Sequence, residues 1–343
     1  MTNLNIVLDA MGGDNAPEIE VEGAIDALKE NKDINVILVG IKDKLEKIIQ
    51  EKTNKKDQTI FQRISIINAN EVINMSDSPA TAHKQKPDAS IVVAGKLLKE
   101  DKADALVSAG NTGAVMVTAL FSVGRIKGIV RPALLTPIPS KKAYTAMLDA
   151  GANVDCKPIH LVQFAIMGEL YARHILNVEK PLVGVLSVGE EDIKGNELSL
   201  ATLELIKKID INFKGNVEGR DITNGSVDVV VCDGFVGNAL LKLAEGIADL
   251  IVTMIKGNIK KLSLRGILGA LFLKPVFSEL KKKVSYDEYG GAPLLGVKKP
   301  VIITHGSATS KAIKNSIKVA AQFIRRHINE EIEQKIKEYG TIE

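Results

Sequence analysis

Apolar strands in this 343-residue chain run repeatedly into turns rich in glycine and asparagine. One such turn is Ser108-Ala109-Gly110-Asn111-Thr112-Gly113. The strand-like Asp104-Ala105-Leu106-Val107 precedes it, and an apolar run from Ala114 to Phe121 follows. Strand, turn and helix in that order leave backbone N–H groups free at a helix N-terminus. Phosphate is the commonest anion held in such a place. The same grammar recurs at Asp9-Ala10-Met11-Gly12-Gly13-Asp14, at Asp233-Gly234-Phe235-Val236-Gly237-Asn238 and at His305-Gly306-Ser307. A single glycine turn says little; repetition at strand ends points to a crevice built for phosphate chemistry.

Strands are expected over 4–10, 34–40, 64–69, 103–108, 133–137, 144–149, 182–188, 227–232 and 300–304. Most are continuous apolar runs, as in strands covered on both faces. Helices are expected between many of them, over 18–30, 43–51, 89–99, 112–123, 159–176 and 196–208. This alternation predicts an α/β fold: three layers, with a mainly parallel sheet between helices. Ligands of such sheets bind beyond the carboxyl ends of the strands, where the glycine turns fall.

Several function classes are disfavoured at once. Aromatic residues are 4% of the chain and tryptophan is absent, so stacking platforms for single-stranded nucleic acid are scarce. A net charge of +3 offers no global attraction to a nucleic-acid backbone. Cys156 and Cys232 have no metal-binding spacing and read as reduced core thiols. The early run Asn5-Ile6-Val7-Leu8-Asp9 reads as a first strand and not as a signal peptide. No apolar run is long enough to span a bilayer. A cytoplasmic location is expected.

The rhythm changes after Asn238. Leu240, Ala244, Ile247, Ile251 and Met254 share one helical face, and Leu241, Ala248, Val252 and Ile255 another. A helix apolar on two sides buries both. Either its own subunit encloses it, or one side meets a second copy. Its length favours an arm and a homodimer. Beyond it, the apolar Gly266–Leu273 segment, with Ile267, Leu268, Leu271, Phe272 and Leu273, is surrounded by lysines and Arg265. It is either a tucked turn or an exposed tip suited to an anionic membrane. Ile313, Ile317, Ala320, Ile324 and Ile328 are expected on one face of a C-terminal helix.

No G-x-S-x-G, Walker A, H-E-x-x-H or G-x-G-x-x-G motif is present. His160 and His174 fall in helical sequence and read as structural, whereas His305 follows a strand and opens a glycine turn. The missing nucleophile suits a reaction in which phosphate itself attacks a carbonyl. The protein then has to hold the anion and stabilise the developing oxyanion. Lys194, in a polar turn, and Asn238 are candidates. Taken alone, Lys194 fits a solvated loop charge better, and Asn238 a helix cap.

Across nearly its whole length the chain resembles the PlsX family, phosphate acyltransferases of bacterial phospholipid synthesis. The resemblance rests on Asp9–Pro17, Ser108–Ala114, Gly124–Ile129, Leu148–Asp155, Lys194–Leu198, Asp233–Asn238, Tyr289–Ala292 and His305–Ser307. It implies a single domain over 1–343, including a 238–284 helical arm for dimerisation and membrane contact. The implied fold is like that of phosphotransacetylases and isopropylmalate dehydrogenases. The implied reaction is acyl-[acyl carrier protein] plus inorganic phosphate giving acyl phosphate and free carrier. Lys194 and Asn238 become the catalytic candidates. Phosphate and substrate binding is expected at Asp9, Gly12, Gly13, Gly110, Asn111, Thr112, Gly113, Asn153, Asp155, Asp233, His305, Gly306 and Ser307. No metal or cofactor is expected. The expected partners are acyl carrier protein, a second copy, an anionic membrane surface and the downstream membrane glycerol-3-phosphate acyltransferase, with no nucleic acid. The protein would be cytoplasmic and partly membrane-associated. A phosphotransacetylase using short acyl-CoA is the alternative.

Overall fold

The computed structural model of the chain describes residues 3–53, 58–259, 272–273, 275–276 and 286–339. Its strands are β1 (Leu4–Asp9), β2 (Ile34–Gly40), β3 (Ile64–Asn68), β4 (Ala105–Ser108), β5 (Ala133–Leu134), β6 (Thr136–Pro139), β7 (Tyr144–Leu148), β8 (Val183–Leu186), β9 (Phe213–Val217), β10 (Val229–Val231), β11 (Ala292–Leu295) and β12 (Val301–Ile303). Its helices are α1 (Glu18–Glu30), α2 (Lys42–Lys52), α3 (Gln58–Phe61), α4 (Pro79–Gln85), α5 (Ser90–Lys99), α6 (Thr112–Ser122), α7 (Pro158–His174), α8 (Glu197–Ile206), α9 (Gly219–Asn224), α10 (Gly234–Ile259), α11 (Ser310–Arg325) and α12 (Ile328–Glu338).

The strands form two sheets, both mainly parallel. One has the order β3-β2-β1-β4-β12-β11-β5, with β11 antiparallel to both neighbours. The other has the order β6-β7-β10-β8-β9, with β6 antiparallel to β7. The expected strand 133–137 is divided: β5 closes the first sheet, β6 opens the second, and buried Leu135 lies between them. Helices cover both faces, because the strands are apolar on both. Ile6 and Leu8 of β1 join the cluster that includes Ala24 of α1 and Ile317 of α11. Val7 between them joins Val92 of α5 and Val115 of α6 on the other side. The first cluster continues through Leu148 and Val229 of the second sheet to Phe164 of α7.

Two elements depart from expectation. The C-terminal helix breaks at His327, whose φ of 51° is left-handed, so Ile328 begins α12 and does not continue the face of α11. The arm begins earlier, at Gly234. Leu240 and Leu241 pack on the second sheet, and beyond them Leu243, Ile247, Leu250, Ile251 and Met254 are exposed. Of the expected tip, Phe272 and Leu273 are exposed, whereas Ile267, Leu268 and Leu271 lie outside the described residues.

Helix α1 is held by a close approach. A Cβ on Gly23 would lie 2.6 Å from Ile313 Cβ and 2.7 Å from the Ser310 carbonyl oxygen on α11. Alanine favours helix over glycine by about 0.8–1 kcal/mol, but overpacking costs typically about 1–3 kcal/mol. Contact with backbone decides the sign. Gly23→Ala is therefore expected to lower the urea midpoint of unfolding, and a raised midpoint would refute the contact argument.

One turn earlier on the same helix, Glu20 is buried, with Oε2 lacking a hydrogen-bond partner. Loss of hydration is the main reason its carboxyl is raised from 4.5 to about 8. The folded chain therefore keeps a proton that the unfolded chain releases above pH 4.5. Stability attributable to this group is full below that value and declines, by up to about 1.4 kcal/mol per pH unit, until pH passes about 8. Glu20→Gln should flatten this part of the stability profile, gaining on the wild type as pH rises. Parallel profiles would show that Glu20 does not titrate in this window.

Candidate active site

Three of the glycine turns meet because their strands are neighbours. β1, β4 and β12 are consecutive and parallel in the first sheet, so the turns after Asp9, Ser108 and Thr304 emerge side by side. Asp9 is buried beneath them and does not reach the cavity surface. Its Oδ2 accepts from Ser108 Oγ at 2.7 Å, and its Oδ1 from the Met11 N–H at 3.3 Å. Burial pushes its carboxyl upward. The Ser108 hydroxyl in turn accepts from the Gly110 N–H at 3.0 Å. A Cβ on Gly12 would lie 2.6 Å from the Asp9 carboxylate and 2.8 Å from the Gly110 backbone. Glycine is required here for two turns to touch. The Asp14 N–H donates to the Gly306 carbonyl at 2.8 Å, which ties the first turn to the third.

Asn111 caps α6: its Oδ1 accepts from the Ala114 N–H at 3.1 Å. Its amide nitrogen reaches the carbonyls of Asn74, Met75 and Asp77, so the side chain braces the 74–77 loop and is already fully engaged. Gly113 also has a packing reason, since a Cβ there would lie 2.5 Å from Pro79 Cγ. What remains for a ligand at this turn is backbone N–H and the exposed Thr112. In the third turn, the Ser307 N–H donates to His305 Nδ1 at 3.2 Å, with Ser307 Oγ 2.7 Å away. A backbone donor aimed at Nδ1 leaves the proton of the neutral ring on Nε2, a donor for an anion or carbonyl oxygen.

The second sheet supplies the opposite wall, organised by Asp149. This buried carboxylate accepts from the N–H groups of Leu134, Gly151 and Ala152 at 3.0, 3.2 and 3.0 Å through Oδ1. Through Oδ2 it accepts from the Asn153 backbone at 2.6 Å and its side-chain amide at 2.8 Å. Burial raises its pKa, and these donors pull the other way. Asn153 also donates to the Pro132 carbonyl at 2.8 Å, so its side chain holds the loop together. Helix α10 sits directly on this loop. A Cβ on Gly237 would lie 1.9 Å from the Asp149 carbonyl oxygen, and one on Gly234 2.7 Å from that of Asn153. Asp233 caps the helix by accepting from the Val236 N–H at 3.0 Å.

Between the walls is a cavity of about 330 Å³. Thr112, His305, Asn238, Lys242 and Tyr289 line it, along with Thr136 and Ala150. Sequence reasoning did not single out Thr136, Tyr289, Lys242 or Asp149 as site residues. Asp149 carried a visible signal: an aspartate at a strand end followed by small residues, as at Asp9. Lys194 and Asp155 lie elsewhere. Both are exposed, Lys194 in the loop before α8 and Asp155 beside Cys156 on the far side of the α10 N-terminus from His305. The Lys194 backbone is held by Glu191, Ser187 and Asn216.

The thiols are poor nucleophiles here. Burial pushes Cys156 up to about 11, and Cys232 is raised well above its ordinary value. His160 caps α7 by accepting from the Lys157 N–H, and His174 pairs with Glu331, so both are occupied in structure. Among the described residues no group of three or more metal-ligating side chains occurs.

Solved structures of a phosphotransacetylase from Streptococcus pyogenes and of EutD phosphotransacetylase from Staphylococcus aureus superpose with TM-scores of 0.62 and 0.59. The first covers 94% of both chains at 17% identity, the second 93% of this chain and 94% of the other at 15%, so they share the fold. A phosphate acyltransferase from Geobacter sulfurreducens is 49% identical over 97% of this chain and 94% of its own length. One from Halothermothrix orenii is 49% identical over 98% and 100%. A family described as fatty acid synthesis protein matches residues 4–331. This chain belongs to that family, the phosphate acyltransferases of fatty acid and phospholipid synthesis.

Proposed function

We propose that the protein transfers an acyl group from the thioester of acyl carrier protein to inorganic phosphate, giving acyl phosphate and free carrier for glycerophospholipid synthesis. The observation that carries this reading is that the α6 N-terminus at Thr112 and the His305 turn, braced by the neighbouring Asp9 turn, border one cavity. The dianion of phosphate, well populated near neutral pH, would attack the thioester carbonyl without a protein nucleophile, in accord with the raised thiols. A P–O–C bond forms, the C–S bond breaks, and the carrier thiolate leaves. The thioester would lie across the first turn of α10, between Asn238 and the Lys194 loop, with both side chains stabilising the oxyanion. His305, through Nε2, would hold the phosphate.

Measuring acyl phosphate with carrier-bound thioester, CoA-bound thioester and each without phosphate tests this. Product from the carrier thioester alone supports the proposal. Product from short acyl-CoA alone would favour a phosphotransacetylase, the reading to which the shared fold also lends itself. We propose further that the whole chain acts as one domain, that the exposed side chains of α10 bury against a second copy, and that the 266–273 tip rests on anionic membrane.

Replacing Lys194 or Asn238 with alanine is expected to lower kcat by roughly a hundredfold to a thousandfold without unfolding the protein, the usual loss for one oxyanion donor. Near-normal turnover would return that residue to a loop or helix-surface role.

For the tip, glutamates at Leu271 and Phe272 should abolish sedimentation with liposomes of anionic lipid and spare turnover of carrier substrate in solution. Several buried apolar side chains at about 1.5–3 kcal/mol each supply the attraction, and nearby lysines add about 1 kcal/mol apiece. Sedimentation that survives both changes would place the anchor elsewhere.

A further inference from the structure

A second cavity, of about 310 Å³, lies on the other side of the α10 N-terminus. Leu161 of α7, Leu186 at the end of β8, Leu198 of α8 and Val236 and Leu240 of α10 form its walls. We propose that this chamber receives the acyl chain of the thioester, with Leu198 and Leu240 setting how long a chain it accepts. The inference rests on the acyl transfer proposed above and names the subsite for its apolar substrate.

The polar groups of the lining are already committed to the chain itself. Asn196 Oδ1 accepts from the Ser199 N–H at 2.9 Å, and Ser199 Oγ donates to the Asn196 carbonyl at 3.1 Å. Ser187 Oγ donates to the Lys194 carbonyl at 3.1 Å, and Asp233 Oδ1 caps α10. What the chamber offers a guest is aliphatic surface. The His305 cavity differs, since it presents His305, Thr304 and Thr112 beside the ion pair of Lys242 with Glu245. A phosphate fits the first and a hydrocarbon the second.

The mouth agrees with the interior. Val188 and Ile193 are 78% and 84% exposed on the loop that carries Lys194. Phe235 and Val154 are exposed around an adjoining cavity that shares Asn196, Leu198, Asp233 and Val236 with the chamber. An acyl chain entering past this apolar rim would leave its thioester carbonyl at the first turn of α10. There Gly195, the residue after Lys194, lines the chamber, and Asn238 lines the phosphate cavity. The two proposed catalytic side chains, which line no common cavity, would then flank one reacting carbon.

Burial of each methylene is worth about fourfold in binding, so a bulkier wall that displaces two methylenes costs about sixteenfold for long chains only. The test compares octanoyl, dodecanoyl and hexadecanoyl carrier thioesters with wild type, Leu198→Trp and Leu240→Trp. The tryptophan variants should lower kcat/KM for the hexadecanoyl substrate by about tenfold or more, with less than about twofold loss for octanoyl and an unchanged phosphate KM. Equal losses at all three lengths, or none, would overturn the proposal. Calorimetric titration with octanoate, dodecanoate and hexadecanoate gives a readout that needs no catalysis. Affinity should rise with length in the wild type and level off in the variants; the same length dependence in all three proteins also overturns it. If the fatty acids behave as expected but no acyl phosphate forms, the chamber stands and the proposed reaction falls.

Discussion

The buried carboxylate of Asp149 is the interaction on which the rest of the site depends. It draws five N–H donors onto two oxygens, and those donors come from both sides of a structural boundary. The Leu134 N–H belongs to the last strand of the first sheet, whereas Gly151, Ala152 and Asn153 form the turn after β7 in the second. A buried charge without partners costs several kcal/mol, so the geometry that satisfies it is strongly enforced. That geometry sets where the sheets meet. It also shapes the surface on which α10 rests, since two glycines of that helix touch the same turn.

Asp9 plays a related part in the first sheet. Neither aspartate meets the cavity as a ligand group would. Each lies beneath its turn and collects donors from it: Asp9 through Ser108 and Met11, Asp149 through its own loop. A carboxylate directly facing a phosphate would repel it; beneath the backbone each instead takes up N–H groups of its loop and fixes the shape of the turn. In both acid-glycine motifs the side chain shapes the turn, and the anion proposed to bind there would meet main chain.

Much of this was legible in the residues. Two-sided apolar strands announced helices on both faces, and strand-end glycines marked the turns that border the candidate site. Less visible were features that depend on contacts between distant segments. Nothing local in the 133–139 stretch says that its two halves belong to different sheets; their pairing with β11 and β7 decides that. Asn111 reads equally as a ligand and as a cap, and only the approach of the 74–77 loop reveals that its amide is occupied. Gly113 looked like room for an anion, yet its neighbour is Pro79. The placement of Lys194 across α10 from His305 likewise follows from sheet order, which the chain's local pattern does not encode.

Helix α10 has 26 residues, about 39 Å at 1.5 Å per residue, and its clearance against the body is concentrated at one end. At Gly234 and Gly237 there is no space for even a methyl group, whereas among the described residues nothing beyond the helix's own neighbouring backbone comes within 4 Å of a Cβ placed on Gly246 or Gly257. Mechanically this is a cantilever clamped at its root. Sliding or rolling of the root would drive backbone into backbone, so a force on the distal end is met by bending along the shaft. The first turn, with Asn238, keeps its register.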